Sequence, residues 1–288
     1  FGYPAWVFGM SSYDFLDDGR IACCYGREGR THFALLDPAT GDLEHLELEH
    51  DALWGGPYVS ASVTSILLIA GSATIPNQVF VHDLSNRATI VVRSSAQVPV
   101  GEEHFSVPRA VEFPTEGGRT AHALFYPPTS PDHEAPEGEA PPLVVMSHGG
   151  PTGSASSVFA LETQFWTSRG FAFVDVNYGG STGYGREYRE RLNGQWGVVD
   201  LEDCVNAARH LVEQGEADPA RVLIRGGSAG GYTTICALTF TDDFAAGAAY
   251  FGIADLEQFG GGETHKFELE YEHTLVGPYP EAAELYRA

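Results

Sequence analysis

Arg221-Val-Leu-Ile-Arg-Gly-Gly-Ser-Ala-Gly-Gly-Tyr232 is the stretch whose reading decides the fold. Val222, Leu223 and Ile224 form a short apolar run of strand formers. Gly226-Gly-Ser-Ala-Gly230 satisfies the pattern Gly-x-Ser-x-Gly, and residues 232–240 continue as a buried, apolar helix. In the context of strand, sharp turn and helix, a serine at the turn stands with its hydroxyl clear of a sheet. The flanking glycines let backbone come close without a Cβ clash. The helix points free N–H groups and a partial positive charge at the place where an oxyanion forms. Glycine is abundant, at 34 of 288 residues, so a glycine-rich turn without chemistry is the plain alternative. A second motif upstream argues against it.

That motif is Ser147-His-Gly-Gly-Pro151, directly after the apolar run Leu143-Val-Val-Met. In hydrolases built on a parallel sheet, the oxyanion hole combines the N–H after the nucleophile with an N–H from an upstream His-Gly-Gly loop. The candidate nucleophile is therefore Ser228, and the candidate oxyanion donors are the backbone N–H groups of Ala229 and Gly150. Glycine suits this loop because the backbone itself must face the substrate oxygen. His148 reads as a residue that holds the loop. A third block, Asn177-Tyr-Gly-Gly-Ser-Thr-Gly-Tyr-Gly185, lacks both the Walker lysine and the dinucleotide fingerprint Gly-x-Gly-x-x-Gly. It reads as a loop packed beside the ends of the catalytic strands.

Outward from these motifs, residues 143–250 alternate between apolar strands and helices, with helices expected over 158–169, 185–192 and 199–214. This order predicts a mostly parallel, doubly wound sheet with helices on both faces. Residues 1–95 read as β structure only. Strands are expected at 12–15, 21–25, 33–36 and 43–48, then at 59–63, 66–70, 78–82 and 89–92. Turn signals such as Asp17-Asp-Gly19 and Asp37-Pro-Ala-Thr-Gly-Asp42 separate them. Two sets of four strands suggest two blades of a β-propeller, with a small β-sandwich as the competing arrangement. The proline-rich stretch from Pro127 to Pro142 reads as a solvated connection between strands.

The three motifs, in this order and spacing, resemble the prolyl oligopeptidase family of serine peptidases, in its acylaminoacyl-peptidase and dipeptidyl-aminopeptidase-like branch. The resemblance implies an α/β-hydrolase domain over 96–288, incomplete at its C-terminal end, preceded over 1–95 by the C-terminal blades of a propeller that limits access. It implies cleavage of short peptides or peptide-like amides by acyl transfer through Ser228, in the manner of an aminopeptidase or acylaminoacyl peptidase. It places Leu256, Phe267 and Tyr271 in an apolar pocket for the residue before the scissile bond. It also places the catalytic acid and base beyond Ala288, so Asp255 and His265 are not assigned to a triad. Asp255 reads as a turn residue. An esterase or small-amide hydrolase would use the same parts, and a non-catalytic interaction protein would keep only the fold.

Composition narrows the rest. The formal charge of −23, from 16 Lys+Arg against 39 Asp+Glu, disfavours nucleic acid and acidic lipid as partners. No apolar run reaches the roughly 18 residues that a membrane helix needs. Cys23, Cys24, Cys204 and Cys236 form no Cys-x-x-Cys pair, which fits buried thiols in a reducing compartment such as the cytoplasm. No His-Glu-x-x-His or Cys/His cluster points to a metal, and no cofactor is expected. His45 and His50, in the acidic segment 44–51, are expected to be exposed. Homo-oligomer formation is left open.

Overall fold

The structure, a computed structural model, describes residues 2–3, 7–260 and 271–287. The chain forms two compact units. The first comprises Phe1–Pro108, Ser156–Phe165 and Thr182–Tyr184; the second comprises Arg109–Ala155, Trp166–Ser181 and Gly185–Ala288. In the chain the first unit runs continuously to Pro108, and two short later segments join it.

The first unit carries two antiparallel four-stranded sheets. One runs β1 (Tyr13–Phe15), β2 (Ile21–Arg27), β3 (Arg30–Leu36), β4 (Leu43–His45); the other runs β5 (Val59–Ala61), β6 (Ser65–Ala70), β7 (Gln78–Asp83), β8 (Thr89–Ser94). Each sheet is a simple meander in chain order. Aspartates build the turns: Asp37 Oδ1 accepts the Ala39 N–H at 2.8 Å, and Asp83 Oδ1 accepts the Ser85 N–H at 2.7 Å. Leu16, Ala22, Cys24, Phe33 and Leu35 of the first sheet region share a core with Val59, Ile66, Leu68, Ala70 and Phe80 of the second.

Two sequence expectations change in this unit. His45 is exposed, but His50 is buried. Its ring stacks on Phe80 at 4.0 Å and its Nε2 lies 2.8 Å from Gln78 Oε1, so the sheet supplies both an apolar face and a polar partner. The helix expected from 158 begins only at α1 (Leu161–Thr167). The preceding residues spend their hydrogen bonds elsewhere. The Phe159 N–H donates to Ser72 O at 2.7 Å, and Ser156 Oγ donates to Leu53 O at 2.7 Å.

The second unit is built on a six-stranded mixed sheet from β9 (Arg109–Thr115), β10 (Arg119–Tyr126), β11 (Leu143–Ser147), β12 (Ala172–Asn177), β13 (Val222–Gly227) and β14 (Ala246–Tyr250). The spatial order is β14-β13-β11-β12-β10-β9. The four strands β12, β11, β13 and β14 are parallel, while β10 runs antiparallel to both β12 and β9. Side-chain alternation sorts two faces. Leu143, Val145, Val174, Val176, Val222 and Ile224 enter the larger core with residues of α3 (Val199–Glu213) and α4 (Ala229–Phe240). Val144, Phe173 and Tyr126 face the other way, with Trp166 packed against them. Strand order and two helical faces together make this an α/β-hydrolase sheet. All four cysteines are free and buried.

Candidate active site

Three loops leave the sheet at its C-terminal edge. They follow β11 at Ser147, β12 at Asn177 and β13 at Gly227, in strands whose register aligns Ser147 with Val176 and with Gly226. The topology thus gathers the three motifs of the sequence at one end of the unit.

Ser228 sits at the turn between β13 and α4 with φ 55° and ψ −121°, in the positive-φ region that non-glycine residues rarely occupy. It is exposed, whereas Ala229 and Gly230 behind it are buried. The Ser228 N–H donates to Tyr250 O at 3.0 Å, and the Tyr232 N–H closes the first helical turn onto Ser228 O at 3.0 Å. The helix therefore starts at Ala229, three residues before the apolar run that marks it in the sequence. The glycines are close-approach residues. A Cβ on Gly230 would collide with the Ser147 carbonyl, and one on Gly231 would stand 2.7 Å from Gly252 Cα. A Cβ on Gly149 would lie 3.2 Å from Gly227 O and 3.6 Å from Ser228 Cβ, so the His-Gly-Gly loop passes directly against the elbow. Neither the Gly150 nor the Ala229 N–H donates to a protein acceptor among the described residues.

His148 is buried, with Nδ1 2.8 Å from Gly149 O and Nε2 2.7 Å from Ser181 Oγ. Burial pulls its pKa down to about 4, so the ring is neutral near neutrality. It lies flat on Tyr178, ring centroids 4.3 Å apart at 17°. This is a residue that supports the loop.

Two buried carboxylates, missed in the sequence, anchor the surroundings. Asp200 accepts the Gly197 N–H at 2.6 Å and the Thr233 hydroxyl at 2.5 Å, tying α3 to the first turns of α4. Burial pushes its pKa up to about 6, against the pull of those two donors. Asp203 accepts the Gly179 N–H at 2.7 Å and the Thr115 hydroxyl, and burial raises its pKa too. Both stand in a helix whose sequence shows acids facing its start; Gly197 apart, their partners Thr233, Gly179 and Thr115 lie more than 20 residues away in the chain and leave no local signal.

The pocket residues fall in different places. Tyr271 is half-buried, with its hydroxyl 2.5 Å from Thr152 Oγ1 and accepting the Thr152 N–H at 3.2 Å, so it touches the loop that follows Pro151. Leu256 is buried and lines a cavity of about 850 Å³ with Trp196, Tyr232, Ile235, Cys236 and Leu275; Ser228 is not part of that lining. Phe267 and His265 lie outside the described residues. Asp255 caps a short helical turn, accepting the Gln258 N–H at 3.0 Å. Among the described residues no side chain hydrogen-bonds the Ser228 hydroxyl, and no group of three His, Cys, Asp or Glu is arranged to hold a metal.

A solved puromycin-hydrolyzing peptidase of Mycobacterium tuberculosis superposes with a TM-score of 0.91 at 45% identity, over 99% of this chain and 43% of that one. Dipeptidyl aminopeptidase BIII of Pseudoxanthomonas mexicana is 33% identical over 236 residues, 79% of this chain and 33% of its own length. The acylamino-acid-releasing enzyme of Arabidopsis thaliana is 33% identical over 147 residues, 51% of this chain and 19% of its own. The chain thus spans less than half the length of these relatives. The sequence model of the prolyl oligopeptidase family matches residues 157–288, a segment that holds the elbow at Ser228. Over that segment the chain is similar to the prolyl oligopeptidase family.

Proposed function

We propose that this chain forms the nucleophile-bearing part of a serine peptidase that hydrolyses short peptides and peptide-like amides. The observation that carries the reading is the exposed Ser228 in a strained elbow at the N-terminus of a buried helix. Ser228 Oγ attacks the scissile carbonyl while a histidine outside the described residues takes its proton. The N–H groups of Gly150 and Ala229 meet the oxyanion. The C–N bond then breaks, the proton passes to the leaving amine, and water releases the acyl group from Ser228. Two such donors contribute several kcal/mol at the transition state, on the order of 10²–10³ in rate for each.

The names of the relatives support an aminopeptidase-like or acylaminoacyl-peptidase-like action: one hydrolyses puromycin, one is a dipeptidyl aminopeptidase and one releases acylamino acids. The two meanders of the first unit support a reading as consecutive propeller blades, which would restrict substrates by size. Tyr271, hydrogen-bonded to Thr152 beside the oxyanion loop, is the better placed of the two described pocket residues to meet substrate. Fluorophosphonate labelling of the natural full-length protein, with the adduct mapped by mass spectrometry, tests the assignment. An adduct on Ser228 that Ser228→Ala abolishes, with hydrolysis of peptidyl amides, is the expected result. An unlabelled Ser228 refutes the nucleophile, and turnover of aryl esters without amides refutes the peptidase.

A further inference from the structure

The loop that carries Gly150 is held from beneath by the block that follows β12. Asn177 Oδ1 accepts the Ala155 N–H at 2.8 Å. The Tyr178 hydroxyl lies 3.0 Å from His148 O and 2.9 Å from Pro151 O, the two carbonyls that bracket Gly149 and Gly150, and at a longer 3.3 Å from His148 Nδ1; its one proton serves the nearer carbonyls. Ser181 Oγ completes the set at His148 Nε2. Tyr178, Ser181 and Asn177 are all essentially excluded from solvent.

The proton positions on His148 follow by elimination. The Gly149 carbonyl can only accept, so Nδ1, 2.8 Å away, carries the ring proton. In a neutral ring Nε2 is then a lone pair, and Ser181 Oγ–H donates to it. The Gly149 carbonyl belongs to the same peptide plane as the Gly150 N–H. That peptide is trans, so its N–H points opposite to its C=O. A hydrogen bond that fixes the carbonyl therefore aims the N–H.

We propose that Ser181 is a positioning residue that locks the tautomer of His148 and, through the Gly149 carbonyl, aims the Gly150 N–H at the oxyanion. The inference rests on the reading of Gly150 as an oxyanion donor. If Nε2 held the proton instead, the Nδ1 lone pair would face the Gly149 oxygen and the peptide plane would turn away. Stacking on Tyr178 keeps the ring in one orientation, so the choice of tautomer is the freedom left to it.

The test uses the natural full-length protein and three measurements. Histidine-selective ¹⁵N labelling reads the tautomer directly: His148 carries its proton on Nδ1 in the wild type and on a mixture of the two nitrogens in Ser181→Ala. A wild-type proton on Nε2 overturns the proposal whatever the enzyme does. In steady-state kinetics Ser181→Ala loses about 10- to 100-fold in kcat with KM within about two-fold, a fraction of the effect of deleting an oxyanion donor. In a His148→Asn background, whose amide N–H donates from the Nδ1 position without a tautomer, Ser181→Ala has no further effect on kcat. An unchanged kcat in the single variant, or an equal loss in both backgrounds, refutes the relay. If Ser181→Ala does not fold, the wild-type tautomer alone decides. A wild type with the Nδ1 proton but no amide hydrolysis would sink the peptidase reading and leave the lock intact.

Discussion

Replacing Asp200 by Asn removes a buried charge without removing the scaffold around it. The carboxyl is completely buried and its pKa is raised from 3.8 to about 6 by desolvation. In the unfolded chain the group ionises near its ordinary value, so the two states differ by about two units, or roughly 3 kcal/mol at most. For an acid with a raised folded pKa, the unfolded state sheds its proton first as pH rises. This contribution to stability therefore falls between about pH 4 and pH 6, and the full penalty stands above about pH 7; at pH 5 about half of it is present. Asparagine carries no charge at any pH. Its Oδ1 can keep the Gly197 N–H, while its amide donates to Thr233 Oγ1, whose own proton has Ala229 O at 3.1 Å. The expected result is that Asp200→Asn gains on the wild type by roughly 1 to 2 kcal/mol between pH 5 and pH 7.5. Hydrogen exchange of the α3 and α4 peptides across a urea series, at both pH values, reads this locally. A difference between the two proteins that is independent of pH, or that shrinks as pH rises, would refute the burial argument.

Gly230→Ala drives a Cβ into the Ser147 carbonyl, between a strand end and a helix start that cannot both yield. It is expected to destabilise the second unit by about 1–3 kcal/mol and to slow fluorophosphonate labelling of Ser228 at least ten-fold; wild-type midpoints and labelling rates would contradict the close approach. Burial raises the Cys24 thiol to about 12 and the Cys236 thiol to about 11, and lifts Cys204 well above its ordinary value. None of these three is expected to be alkylated by iodoacetamide at pH 8 in the native protein, and all should react after unfolding; peptide mapping of a native adduct would show an opening that the fold does not contain.

The strands of the first unit were readable because their alternation and their Asp/Gly turns are local signals, and each of the eight appears within a few residues of its expected place. The elbow was readable for the same reason: strand, glycines and helix are consecutive. What the sequence concealed depends on distance along the chain. His50 looked like a solvated residue of an acidic segment, and it is buried by Phe80 and Gln78 of β7, about 30 residues later in the chain. The start of α1 was misplaced because Ser72, more than 80 residues earlier in the chain, accepts the Phe159 N–H. The block from Asn177 to Ser181 announced its glycines but not the three side chains that grip the His148 loop. Asp200 and Asp203 resembled ordinary acids at a helix start, and their desolvation is a property of the packed core alone.

The alignment of β11, β12 and β13 at one edge has a consequence for how such a protein can change. Ser228, the His148 loop and the block 177–181 follow the strand ends directly and are held there by close approaches and hydrogen bonds, so only the segments farther from the strand ends are free to be lengthened, shortened or exchanged in descent or by design. The strands themselves have no such latitude. Deleting one residue within Leu143–Ser147 would turn Val145 and Val144 to opposite faces and draw the His148 loop back by about 3.3 Å, one strand residue. The sheet therefore divides the unit into a rigid ruler that tolerates substitution but not insertion, and a replaceable margin where new specificities can be written without relocating the nucleophile.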